Sequence, residues 1–277
     1  MRIILLLLIA TLTVHASVAQ SELSDEMKET EEQLRASTKQ INQFFRRFNG
    51  EEDEDGNRYF ETDKKYRDPS LRKKYMPVLF DTQTSQIESN LVKNFVKQIT
   101  KKDSPSFLNF HEDDWFAEVS TTFKYKGKEI SGLLYMRLQK QGLGYEWIID
   151  DVAFEQFKKL FDKDTSETKK FMHPMSHELD FMTLRKALLE NHAEQFTGIN
   201  YTPDFLTIFL YEMNLGNLKF ETVRRVAFHF FSIDGYYFSI TNFNRSGYNS
   251  GWLISSLIPL ANDAQKQQMK NYIYDKN

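Results

Sequence analysis

The chain has 277 residues, with 36 basic against 39 acidic side chains, a formal net charge of −3 and no cysteine. That balance gives no basic excess for binding nucleic acid. The absence of thiols excludes disulfides, thiolate catalysis and cysteine-based zinc sites, so stability must come from a hydrophobic core, which 24 Phe and 13 Tyr can fill.

Residues 1–19 read as a secretory signal peptide. Arg2 supplies the charge, Ile3 to Val14 the apolar run, and Ser17-Val18-Ala19 a small-residue cleavage site before Gln20. The run is too short for the roughly 20 residues of a spanning helix. The protein is expected to be exported, periplasmic or secreted, with no membrane span in the mature chain. A long helix follows, from Ser24 to Phe48. Leu34, Ile41, Phe44, Phe45 and Phe48 form its apolar stripe, and Asn49-Gly50 is its left-handed stop.

The stretch NGEEDEDGNRYFET (Asn49 to Thr62) resembles a calcium loop at first sight. Glu51, Asp53, Asp55 and Gly56 take its first, third, fifth and sixth positions. Thr62 then stands where the bidentate Glu belongs, and no amphipathic helix follows. A solvated connector is expected, with no metal.

Asp68-Pro69-Ser70 should cap a short helix ending near Met76, before Pro77. Another should begin at Ser85, where Ser85 and Glu88 form a capping box, with Ile87, Leu91, Phe95 and Ile99 on one face. After Pro105 the period becomes two. Trp115, Ala117, Val119, Thr121, Phe123 and Tyr125 alternate with Glu118, Ser120, Thr122 and Lys124, which predicts a strand with one wet face. Gly127 and the Gln141 to Gly144 segment turn the chain into two further strands, closing a meander by Val152.

Gln156 to Glu178 is polar and broken by Pro174, the composition of a linker. His173 and His177 within it have metal-ligand spacing, but Pro174 interrupts the pair and surface histidines are expected. Helices follow at Leu179 to Phe196 and from Thr202-Pro203-Asp204 to Gly216. Strands follow at Phe220 to Ile233, Tyr236 to Asn244 and Trp252 to Leu260. The two strand regions align, Phe123 with Phe231 before the turn glycines Gly127 and Gly235, and Trp147 with Trp252 at the last strand. The fold class is therefore α+β in two tandem domains, residues 20–155 and 179–277, joined by the linker 156–178.

Helices followed by long antiparallel strands, twice over, resemble the NTF2-like (cone-shaped α+β) superfamily. INQFFRRFNGEEDEDGNRYF (Ile41 to Phe60) with DPSLRKKYMPVLFD also resembles uncharacterised exported Bacteroidetes proteins. The resemblance implies a curved meander sheet enclosing a pocket, used for catalysis in some members and for binding alone in many.

The acid–base candidates are His111, beside Glu112, Asp113 and Asp114, with Asp150 and Asp151 at the third strand's end, which an NTF2-like cone would bring to one pocket. The ligand-binding candidates are the aromatics Tyr145, Trp147, Tyr248 and Trp252, suited to sugar rings or a protein partner when exposed and to core filling when buried. No phosphate loop, nucleophile elbow or dinucleotide fingerprint occurs. The expected function is a non-catalytic binding or protein-interaction module, with a sheet-lined pocket or aromatic surface, for a small molecule, glycan or protein, without cofactor. The alternative is a small-molecule hydrolase or isomerase. A structural role in an envelope assembly would need the polar helix Ser24 to Gln40 to pair with a partner helix.

Overall fold

A computed structural model describes residues 41–53, 55–161, 188–189, 193–198, 200–246 and 249–274. The expected signal peptide, the start of the first helix and most of the expected linker and its following helix lie outside them. Helix α1 (residues 41–49) precedes α2 (Pro69–Tyr75), which runs into a 3-10 turn (Met76–Leu79) and then α3 (Ser89–Ile99). Strands β1 (Trp115–Tyr125), β2 (Lys128–Gln141) and β3 (Gly144–Ala153) follow, then α4 (Glu155–Lys159) and, further on, α5 (Phe205–Asn214). Strands β4 (Leu218–Phe230), β5 (Tyr236–Phe243) and β6 (Gly251–Pro259) lead to α6 (Asp263–Tyr274). The fold is α+β. No described helix is long and apolar enough to cross a membrane.

The local signals act as expected at several ends. Asp68 accepts hydrogen bonds from the amides of Ser70 and Leu71, and Pro69 opens α2. Asp204 caps α5 in the same way. Lys126 and Gly127 both take positive φ, 49° and 85°, as a tight hairpin between β1 and β2 requires. The third helix departs from expectation. It begins at Ser89 with Glu88 as its cap residue, while the Ser85 hydroxyl donates to the Asp81 carbonyl. The Asp81 side chain collects the amides of Gln83 and Thr84, and that turn outcompetes the capping box.

The two meanders form one sheet, in the order β3-β2-β1-β4-β5-β6, antiparallel throughout. Strand β1 pairs along its whole length with β4, from Trp115 opposite Phe230 to Tyr125 opposite Leu218. Register shifts at Ser120/Thr121, Tyr135/Met136 and Ser239/Ile240 bend the sheet. The expected equivalence of Phe123 and Phe231 does not hold. Phe123 packs on Phe154 and Phe209 on the helical side, whereas Phe231 stacks on Phe116 on the opposite side. The turn before β5 is longer than the one before β2, so equal spacing to a glycine lands on opposite faces.

The helices that precede the meanders are exchanged between them. Phe95 of α3, ahead of β1, packs edge-on against Tyr236 and Phe238 of β5. Phe209 of α5, ahead of β4, packs on Phe123 of β1 and on Phe154 after β3. Between them α1 crosses the middle, with Phe45 against Trp115, Phe44 against Phe230 and Phe48 stacked on Phe238. One contiguous core therefore runs through both halves. Gly132 of β2 lies under the Phe154 ring, where an added Cβ would sit 2.1 Å from a ring carbon.

Arg72 of α2 ties the helices together. It is 2% exposed and donates to the carbonyls of Phe48, Ile99 and Ser106, so a single cation serves the C-terminal ends of both α1 and α3. Burial lowers its pKa to about 10, which leaves it charged at neutral pH.

The opposite face of the sheet was expected to be wet along β1. It is covered at one end instead. Helix α6, for which no expectation was drawn, brings Ile273 and Tyr274 onto Phe116, Tyr135, Phe231 and Tyr237, and the Tyr135 hydroxyl donates to the Ile273 carbonyl. Phe116 and Glu118 are consequently buried, whereas Thr122, further along β1, is buried beside Arg224, whose Nε donates to its hydroxyl.

Candidate functional site

An open cleft of about 620 Å³ lies between the end of α2, the 3-10 turn with the loop after it, and one side of α3. That volume falls within the range of small-molecule sites. On α3, Ser89, Val92, Lys93, Val96 and Lys97 follow one another at helical spacing, so all five line the cleft. Phe95 and Ile99 of the same helix turn into the core. Across the cleft stand Lys73, Pro77 and Phe80, with Ile87 near the entry to α3. Buried Phe80 and Val96 with half-buried Val92 and Ile87 make an apolar floor, and the exposed Lys73, Lys93 and Lys97 make a cationic rim.

The loop wall is held by a buried polar knot. Asp81 and Asn249 are 3% and 2% exposed. Arg245 bridges them, with an Nη2 to Asp81 Oδ1 distance of 2.6 Å and an Nε bond to the Asn249 carbonyl. Asn249 in turn donates to the Phe80 carbonyl and accepts from the Thr82 amide. Phe80 bridges Ile254 in parallel, and the Asp81 amide donates to the Ile254 carbonyl, so the wall is stitched to the outer edge of β6. Burial works against the Asp81 charge, but the Thr84 hydroxyl, Arg245 and the amides of Gln83 and Thr84 outweigh it and hold its pKa well below the carboxylate range.

The expected acid–base group is not assembled. His111 is exposed before β1, its ring 4.3 Å from that of Tyr145. The β2–β3 register places Tyr145 and Trp147 on the helical side and Asp151 on the α6 side. Asp150, in the bulge, is engaged by Arg137, and Asp151 accepts from the Val152 amide. Of the aromatic candidates, Tyr145 is 43% exposed. Trp147 is half-buried edge-on against Trp115. Trp252 is 6% exposed and packs on Phe228, a core position and not an aromatic surface. Tyr248 lies outside the described residues, as do His173 and His177. The helical face of the sheet, where a cone would hold its pocket, is occupied by the core itself.

The acidic stretch after α1 turns its carboxylates to the protein's own donors. Glu51 pairs with Arg67, and Glu52, 6% exposed, with Arg46, Arg47 and Gln43. Asp53 accepts from the amides of Asp55 and Asn57 and from the Asn57 side chain. Among the described residues no group of three acidic or histidine side chains is arranged to hold a metal.

A polar chain that sequence reasoning missed crosses the α6 side of the sheet. His229 of β4 has Nδ1 2.8 Å from the Tyr237 hydroxyl and Nε2 3.4 Å from Glu118 Oε2, and Arg225 stands 3.8 Å from the other carboxylate oxygen. Glu118, His229 and Tyr237 are between 4% and 7% exposed. Burial pushes the Tyr237 pKa up to about 12, eased by Ser239 and reinforced by Glu118, so the phenol keeps its proton. The imidazole thus shares a hydrogen bond with the phenol through Nδ1, while Nε2 faces the carboxylate at ion-pair distance. Period-two alternation assigned Glu118 to a solvated face, and no local pattern connects positions 118, 229 and 237.

No family model, curated protein or solved structure matches this chain.

Proposed function

We propose that the protein is an exported, non-catalytic binding module whose recognition site is the cleft between the 3-10 turn and α3. The observation that supports it is the cleft, with an apolar floor and a wall fixed by the Asp81–Arg245–Asn249 knot, on a molecule whose sheet face is already filled. A preformed wall lowers the ordering cost of binding. Export rests on the signal-like residues 1–19. The tandem NTF2-like reading belongs to the same proposal. It is supported by the order of helix then meander in each half, and the shared sheet with exchanged helices makes it a fused version of that plan.

The neutral fluorophore N-phenyl-1-naphthylamine tests the site. Its emission rises with the wild-type protein and not with Val92→Asp, which puts a carboxylate in the cleft floor at a half-buried position. Equal emission from both proteins would place the binding elsewhere and end this reading.

The second reading, a hydrolase or isomerase, draws on Glu118, His229 and Tyr237, the acid–base chain that is actually assembled. Their burial favours a structural role, since a substrate would have to reach side chains closed to solvent.

A further inference from the structure

We infer that the ligand of this cleft is an amphipathic organic anion, an acyl or aryl body with a single carboxylate or phosphate head. The inference rests on the cleft being the binding site and adds the chemistry of its occupant. The charge pattern carries it. Lys73, Lys93 and Lys97 come from two separate helices to the rim of one cleft, and none is ion-paired with a described residue. On α3 the positions one helical turn from Lys93 are Ser89, Asn90, Val96 and Lys97, none of them acidic. An acid at that spacing can stabilise a helix-surface lysine, as Glu155 does for Lys159 in α4. Lys93 and Lys97 instead repel one another, a cost that an anion between them removes. Around Lys73 the same positions hold Pro69, Ser70, Met76 and Pro77.

The one carboxylate lining the cleft does not supply the missing countercharge. Asp81 is spent on Arg245, Thr84 and the loop amides, with its side chain 1% exposed. The cleft thus offers three cations above Phe80, Ile87, Val92 and Val96. A purely apolar ligand leaves the lysines unanswered, and a small inorganic anion leaves the floor wet. An amphiphile with one anionic end satisfies both.

Isothermal titration with dodecanoate, dodecanol and inorganic phosphate, on the wild-type chain and on Lys73→Gln/Lys93→Gln/Lys97→Gln, decides the matter. These exposed substitutions do not lower the thermal midpoint. Dodecanoate should bind the wild type, weaken with added salt, and lose about tenfold or more in affinity to the triple variant. Dodecanol should bind both proteins alike and more weakly. Equal binding of dodecanoate by the two proteins overturns the anionic head while leaving the cleft as an apolar site. Phosphate binding as tightly as dodecanoate overturns the amphiphile. No binding of dodecanoate or dodecanol, with N-phenyl-1-naphthylamine also indifferent to Val92→Asp, overturns the cleft itself. Vesicles of phosphatidylglycerol separate the sources of the head group: binding to vesicles without binding to dodecanoate monomers overturns the free ligand in favour of a membrane surface.

Discussion

The two faces of the sheet are built on different principles. The helical face is aromatic and nearly dry. Trp115, Phe230 and Phe238 stack across β1, β4 and β5 under α1 and α3, and α5 closes over Phe123 and Phe154. The other face carries a small apolar patch under α6, then a buried Glu118–His229–Tyr237 chain, then arginines at the rim paired with acids, such as Arg224 with Glu129. Hydrophobic burial is indifferent to direction and sums over area, whereas the polar chain is held only while each member keeps its partner. The filled face is occupied by core side chains, and the described cleft lies further out, in the seam between the helices and the loop stitched to β6.

Substitutions can break this contrast, and Phe230→Ala should have the largest effect. The ring is fully buried among Phe44, Phe45, Trp115 and Phe238, and its loss should cost about 3–5 kcal/mol, read from chemical denaturation. On the other face, His229→Leu removes the imidazole from between Tyr237 and Glu118 and should cost roughly 1–3 kcal/mol. Adding Glu118→Leu to it should recover part of that loss, because the buried carboxylate no longer lacks the imidazole. A double variant as unstable as the sum of the singles would show that the two side chains do not act together.

The smallest effect concerns pH. The Asp81 pKa is depressed in the folded state, so its contribution is present above the unfolded value near 4 and is lost as pH falls below it. Thermal midpoints measured from pH 6 to pH 2 should therefore drop less steeply for Asp81→Asn than for the wild type, with the two curves converging at the acid end. Parallel curves would mean that the Arg245 knot does not stabilise the wall.

Local chemistry made the elements legible. Asp68-Pro69-Ser70 and Asp204 announce helix starts because a side-chain oxygen next to free amides acts over a few residues. The alternation from Trp115 to Tyr125 announces a strand and its core-facing set for the same reason, since the period belongs to the backbone. Helix α6 also carries a local signal: Asn262 accepts the Gln265 amide while Gln265 accepts the amide of Ala261, and Met269 and Ile273 are one turn apart on its buried side. The α3 stripe from Ser89 to Lys97 was equally readable, but the opposite wall of the cleft was not.

The sequence by itself determined the α+β composition, most strand and helix limits, and which residues of each strand share a face, because these follow from periods and caps within a few residues. Only the tertiary structure decided that β1 meets β4, that α3 and α5 change places over the two meanders, and that Glu118 lies buried beside His229. It alone also set Lys73 across a cleft from Lys93 and Lys97. Such contacts join residues far apart in the chain, and an amphipathic face states that it must be covered without stating by what.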